Sequence, residues 1–472
     1  MSRGGGEEFV VVPEGWLSRG EAFVSGQGRQ LAVFGGIPGE RARVRIVERG
    51  GPQEKARWAG PAGAPSPDRV EPPCDRWAPC GRCPLMHLSD DGRDRARLDV
   101  LRAAFAEARA PRPERFDVHS GAATDSTHAL ELVAGWSDER QPRLGVRGRD
   151  ARRVVPIPKC LVVTPILRSV MSVVAHHMRA LDVHPWVNGK GSFRGMVARQ
   201  SSVTGEVALT LVYGRSTPFA RALSDAIVAQ QTGISGVFAH WNEHPGPLIA
   251  ASEDTGEPEV SALFGQTWRE ERVEGLRLRL GALDPFPEHV EQGIAAWKAV
   301  IDGLEPDEGD AVVDLGAGIG ARAMLLAERS GWALGIDPRA GVLRRAKENV
   351  STSGRAVELV HAELAEGLAA ANERLEGRRP LVVAEPGPRG LDGPLADAML
   401  ALNPRRVALV CNNPKALARD VGRFAAHGYR LARLDAFDTA PWTMFGDSVA
   451  ILISVDERPP ERRAPRRRTV RG

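Results

Sequence analysis

The sequence predicts a multidomain chain with a small N-terminal β-barrel, a central α+β unit and a C-terminal α/β domain of the Rossmann-like, doubly wound kind. Three observations carry this. At 472 residues the chain is too long for one hydrophobic core, since domains commonly hold about 150 residues. Short alternating apolar and polar runs fill residues 9–47, whereas from about residue 286 helix-length amphipathic segments alternate with short apolar runs. A Gly- and Pro-rich interval, GPAGAPSPDRVEPP at 60–73, has the composition of a linker.

Taken in order, FVVVPEGW, GEAFVSGQG, LAVFGGIPGE and RARVRIV read as successive short strands between turn residues, the pattern of a small OB-like barrel over 1–62. Residues 63–285 hold a cysteine-rich loop and strand-like runs such as VALTLVYG and VEGLRLRLG. Over 286–456 the runs AVVDLG, ALGID, LVVAEP, RVALVC and SVAILIS alternate with helical segments, which predicts a mostly parallel sheet. The end, 457–472, is an arginine-rich tail expected to be disordered. No internal repeat is present.

Composition narrows the class. A hydrophobic share of 42% with 26% charge is ordinary for a soluble protein, and no run approaches the ~18 apolar residues of a membrane span. The first residues, MSRGGGEEFVVVPEG, lack the long apolar stretch of a signal peptide. The expectation is a cytoplasmic protein with no membrane partner, acting as a monomer. Net charge is only +3, but arginines gather in RQPRLGVRGRDARR (140–153) and ERRAPRRRTVRG (461–472), and guanidinium pairs well with phosphate. Either cluster could meet nucleic acid, or simply be solvated.

Four of the five cysteines are Cys74, Cys80, Cys83 and Cys160, the first three inside CDRWAPCGRC. In a reducing compartment such clustering favours metal over disulfides. Four thiolates suit an iron–sulfur cluster or a tetrahedral zinc site, and the spacing leaves both open alongside free thiols.

VVDLGAGIG (312–320) is an apolar strand, an acid and a glycine loop opening the helix ARAMLLAERS. Gly316, Gly318 and Gly320 let backbone approach a ligand at the strand's carboxyl end. Asp337, 19 positions beyond Gly318 at the end of the next strand, is placed to accept from both ribose hydroxyls. Asp314 and the tight Gly-x-Gly-x-Gly suit S-adenosylmethionine better than a dinucleotide, whose third glycine falls one residue later. Glu363, after the third strand, is a candidate adenine-side contact.

These residues together resemble the RNA (uracil-5-)-methyltransferases that carry a TRAM domain and a [4Fe-4S] cluster, and the chain reads as a divergent member. GEAFVSGQGRQLAVFGGIPGERARVRI resembles the TRAM barrel, and CDRWAPCGRC with Cys160 resembles the cluster ligands. LFGQTWREERVEGLRLRL resembles the strand pair leading to the catalytic domain, and NNPKALARD with the later PWTMFGDSV resembles the reaction centre. The resemblance implies a class I S-adenosylmethionine-dependent fold, RNA as substrate (tRNA or rRNA), 5-methyluridine as product and a cluster rather than zinc.

Methylating C5 of uracil implies a thiolate that adds to C6 and a carboxylate that removes the C5 proton. The family cysteine precedes Asn-Pro, and counted without a gap from Leu417 that place is Asn412, one residue after Cys411. A one-residue shift in a strand turns a side chain to the opposite face, so Cys411 reaches the site only if a bulge intervenes. Otherwise it is a buried small hydrophobe. Asp447 stands where the family has its glutamate base, and Glu385 in EPGPRGL stands for the acid that orients the flipped base, with the arginine displaced to Arg389. Pro287 falls where the family has a glutamine. The reading is an active RNA methyltransferase with Cys411, Asp447 and Glu385 as catalytic residues. Its rivals are a non-catalytic RNA-binding relative and a methyltransferase acting on an atom that needs no covalent adduct.

Overall fold

Turn residues break the first 61 positions into strands β1 (Glu8–Val11), β2 (Gly15–Trp16), β3 (Ala22–Gly26), β4 (Arg29–Phe34), β5 (Ala42–Glu48) and β6 (Gln53–Pro61). They form one six-stranded sheet in the order β1-β5-β6-β4-β3-β2. The computed structural model describes residues 8–26, 29–49, 53–149, 153–251, 258–444 and 446–457. Nearly all of the tail expected at 457–472, and residues 150–152 of the first arginine cluster, lie outside that range. Laid flat, six strands would hold their edges about 24 Å apart. Residues 12–14, which join the edge strands β1 and β2, span at most about 15 Å. The sheet must therefore curl. Among the described residues β1 and β2 do not pair, so the expected barrel is not closed.

After the cysteine loop, which holds the short α1 (Trp77–Cys80), come α2 (Asp90–Glu107) and β7 (Arg115–His119). The central sheet is built from β8 (Ala129–Trp136), β9 (Pro142–Arg147), β10 (Val154–Val155), β11 (Phe193–Gln200), β12 (Val207–Tyr213), β13 (Ile234–Trp241) and β14 (Ser261–Gly265). Two helices, α3 (Pro165–Ala180) and α4 (Phe219–Gln230), cover it with Leu167, Val170, Val174, Leu223 and Ile227. The hairpin β15 (Arg269–Val273) and β16 (Leu276–Leu280) turns Val273, Leu276, Leu278 and Leu280 into the core of the next domain instead.

That domain contains α5 (Val290–Leu304), β17 (Val312–Leu315), α6 (Ala321–Ser330), β18 (Ala333–Asp337), α7 (Ala340–Ser353), β19 (Val357–His361), α8 (Leu364–Ala371) and β20 (Leu381–Ala384). It continues through α9 (Gly393–Ala401), β21 (Arg406–Cys411), α10 (Pro414–Ala426), β22 (Tyr429–Phe437) and β23 (Ser448–Ser454). The strand order is β19-β18-β17-β20-β21-β23-β22-β7, with β19 through β21 parallel and β23 antiparallel to both neighbours. Each central strand is fully buried, which is why VVDL, LVVA and RVALVC carry continuous apolar runs rather than alternation.

The eighth strand is a departure from the sequence reading. β7, assigned with 63–285, pairs parallel with β22, with Arg115 opposite Arg433. Helix α2, which precedes it, adds Leu101, Ala104 and Phe105 to the layer that holds Leu417, Val421 and Phe424. The run RFDVH carries no local mark of a partner some three hundred residues away. Its physical role is plain: it covers the edge that β22 would otherwise expose. Among the described residues no helix is long and apolar enough to cross a membrane.

The chain leaves β17 towards β18 and returns to the other side at β20, so the order reverses between them. Such a switch point opens a crevice at the carboxyl ends of the strands.

Candidate active site

β17 delivers its chain into that crevice as a glycine turn, with Gly316, Gly318 and Gly320 at φ of +80°, +56° and +83°. A Cβ on Gly316 or Gly318 would meet nothing nearer than 3.6 Å, so dihedral strain rather than crowding demands glycine. Other residues pay about 1–2 kcal/mol for this left-handed backbone. The turn lines a cavity of about 600 Å³ whose other walls include Phe286, Pro287, Trp297, Arg322, Arg339, Glu385, Asn412 and Asp447.

Asp337 closes the turn from below. Its Oδ2 accepts from Gly318 N at 2.9 Å, and its Oδ1 accepts from Arg339 N at 3.0 Å and Nε at 2.9 Å. Arg339 Nη2 adds a bond to Oδ2 at 2.7 Å. Burial pushes the carboxyl up, but these bonds outweigh it and hold Asp337 below the usual carboxylate range. The acceptor expected to face a ribose is thus fully buried and bonded to Arg339, whose side chain is 44% exposed.

At the root of the cavity Asp314, Arg322 and Glu385 form a chain of charges. Arg322 Nη2 donates to Asp314 at 2.7 Å and Nη1 to Glu385 Oε2 at 2.6 Å. Burial would lower the guanidinium, but the two carboxylates prevail and hold it above its ordinary value. Sequence reading missed Arg322. The available signal was a lone arginine in the first turn of an otherwise apolar helix start, at a position that faces the strand end.

Asn412, not Cys411, belongs to the cavity wall. β21 pairs with β23 from Arg406 opposite Ile453 to Cys411 opposite Ser448 without a register shift, and with β20 likewise. Alternation then sends Val410 and Asn412 to the cavity and Cys411 to the other face. Cys411 is 4% exposed, in the apolar layer with Leu391, Leu409 and Leu417. Its thiol donates to Gly387 O at 3.5 Å, and burial raises it above the ordinary thiol value. As far as Cys411, where β21 ends, neither pairing contains a bulge.

Across from Asn412, burial and then the negative charge of Glu385 push Asp447 up to about 6, partly offset by a bond from Thr439. Glu385 keeps about half its side chain exposed. Glu363 is exposed at the N-cap of α8 and does not line the cavity.

Cys74, Cys80, Cys83 and Cys160 all line a second cavity of about 410 Å³, and none is in a disulfide. Gly81, at φ +70°, ends α1 and turns the chain back towards Cys83. Burial foremost, then the mutual charges of the thiolates, raise Cys80 and Cys83. Among the described residues no three His, Cys, Asp or Glu side chains are gathered to hold a single metal ion. Glu288, Thr439 and Ala440 line both cavities. Of the arginine cluster, Arg149 lies 3.6 Å over the Phe34 ring and is lowered to about 10 by burial, so it packs rather than faces solvent.

Comparisons with known proteins bear on the chain as a whole. A protein of Caldanaerobacter subterraneus described as an uncharacterized RNA methyltransferase is 24% identical over 464 residues, covering 95% of this chain and 98% of that one. The resemblance to RNA methyltransferases runs from end to end. A 23S rRNA (uracil(1939)-C(5))-methyltransferase of Alkalilimnicola ehrlichii is 25% identical over 456 residues, covering 94% and 96%. In fold, the tRNA (uracil-54, C5)-methyltransferase of Pyrococcus abyssi, solved with S-adenosyl-L-homocysteine, matches 94% of this chain and all of its own at a TM-score of 0.72 and 21% identity. No protein-family model matches the chain.

Proposed function

We propose that this chain is a class I S-adenosylmethionine-dependent RNA methyltransferase that acts without a covalent adduct through Cys411. One observation carries the second half: Asn412 stands with Glu385 and Asp447 on the cavity wall while Cys411 faces the core. Forming 5-methyluridine by the cysteine route would require the end of β21 to shift register by one residue.

The residues present fit the donor. The open backbone at Gly316 and Gly318 would cradle it, Phe286 and Trp297 give an apolar wall, and Asp337 would reach the ribose once Arg339 swings aside. The donor supplies a methyl group on a positively charged sulfur. Glu385 and Asp447 make the facing wall electronegative, which favours a cation there. Asp447, with its pKa near 6, is suited to take a proton at neutral pH.

The four thiols fit a [4Fe-4S] cluster by their chemistry, being soft donors on one cavity wall, and the family resemblance favours it over zinc. Relatives named for ribosomal and for transfer RNA support RNA as the substrate class.

A second reading is a non-catalytic RNA-binding relative. It is favoured by the arginines that already occupy Asp314, Glu385 and Asp337. Labelled methyl transfer from S-adenosylmethionine to unmodified RNA separates the two. Transfer that survives Cys411→Ala and is lost in Asp447→Asn supports the proposal. Loss in a folded Cys411→Ala protein restores the cysteine route, and binding of S-adenosylhomocysteine with no transfer favours the second reading.

A further inference from the structure

The acceptor wall has a hydrogen-bonding character of its own. Glu385 gives one oxygen to Arg322, which leaves the other facing a half-exposed space. Asn412 is exposed, and among the described residues its amide makes no hydrogen bond. Asp447 adds a second carboxylate, braced by Thr439. Two carboxylates and an unengaged amide thus line one cavity with the glycine turn, where the Arg322 guanidinium is bonded to Asp314 and Glu385 and that of Arg339 to Asp337.

Such a wall asks for donors. Uracil presents two carbonyl oxygens and a single N–H, so it can satisfy only one acceptor of this wall; the two acids stand where the uracil-5 family also has acids, and the Asn412 amide in the thiol's place is what sets this wall apart. Adenine and cytosine each present an exocyclic NH₂, the group that Asn engages on adenine and that Glu or Asp accepts from on cytosine.

Resting on the reading that the chain methylates RNA, we propose that its acceptor is the exocyclic amino nitrogen of adenine or cytosine, held by Asn412 and Glu385. An exocyclic amine needs no thiolate. Carboxylate and amide oxygens accepting its N–H groups turn the nitrogen lone pair towards the methyl carbon. The N–C bond forms as the C–S bond breaks, its electron pair leaving on sulfur, and the proton shed by nitrogen passes to the Asp447 carboxylate. This accounts in one step for an amide at Asn412, where the family has its cysteine, beside two carboxylates.

The test uses the full chain and short single-stranded RNAs that differ in one target base: adenosine against inosine, and cytidine against uridine. Product nucleosides are identified by mass after transfer, and affinity is measured separately in the presence of S-adenosylhomocysteine. The expected results are methyl on the amino nitrogen and at least about tenfold tighter binding of the amine-bearing base. Asn412→Ala should collapse that preference, and the adenosine and cytidine arms tell which base is meant. Methyl on C5 of uridine overturns the inference and leaves RNA methylation standing. Equal affinity within both base pairs overturns it as well. A clear amine preference with no transfer sustains the pocket's specificity and defeats only the methylation reading.

Discussion

Cys411 and Asn412 leave β21 on opposite faces, the thiol entering the apolar layer beside Leu417 and the amide entering the cavity beside Glu385. The two substitutions are therefore expected to part company. Cys411→Ala should cost about 1 kcal/mol of stability as a small buried truncation and leave donor affinity within about twofold. Asn412→Ala should leave thermal stability unchanged and reduce transfer about tenfold or more. Denaturant titration and methyl-transfer kinetics on both variants check this.

Asp447 sets the expected pH dependence. Its pKa of about 6 lies above the ordinary aspartate value, so the folded protein holds the proton more tightly than the unfolded chain. This contribution is fully present below about pH 4, and stability falls as pH rises to about 6. Transfer, which needs the ionised carboxylate, should rise across the same upper limit with a midpoint near 6. Asp447→Asn should flatten both curves and raise stability at pH 8. A rate profile without an inflection between pH 5 and 7 would remove the assignment.

Arg322 joins two carboxylates at a position that is 4% exposed. Arg322→Met should destabilise the fold by about 3–5 kcal/mol, because Asp314 is left charged and buried. Adding Asp314→Asn to that variant should recover part of the loss. Denaturation midpoints of the three proteins show whether the coupling exists.

Arg339 and a ribose would compete for Asp337. Arg339→Ala should therefore tighten S-adenosylhomocysteine binding, by about threefold to tenfold if one charge-assisted hydrogen bond is released. Calorimetric titration reads the change directly. Weaker binding would mean that Arg339 itself contacts the donor.

Protein purified without oxygen should be brown and carry iron and acid-labile sulfide in equal amounts. Cys160→Ser should bleach it, since Cys160 is the one ligand candidate outside the CDRWAPCGRC loop. A colourless protein containing zinc would defeat the cluster.

Much of this was legible from residues. The glycine turn, the parallel strands and three of the thiols follow from local patterns, because strand runs, left-handed glycines and cysteine spacing are written in short windows, whereas Cys160 joined them only through the family resemblance. Counting from Leu417 put Asn412 in the family's place, but the register itself stayed open, because RVALVC carries no feature that says whether a bulge brings Cys411 round. Arg322 and Arg339 were not legible: a surface-type residue reveals its partners only when Asp314, Glu385 or Asp337 has been brought beside it. β7 was hidden for the same reason, its partner in β22 being set by the closure of the sheet.

The pairing of Arg115 with Arg433 has a consequence for how the molecule is made. A ribosome adding about 5–20 residues per second emits the last partner tens of seconds after the first. Through that interval α2 and β7 have no sheet to join, so the nascent N-terminal third must wait with one apolar helix face unburied. Excising residues 286–456 would strip the same contacts permanently. The fragment should be recovered as aggregates, and supplying residues 90–119 on a separate or fused peptide should return it to solution.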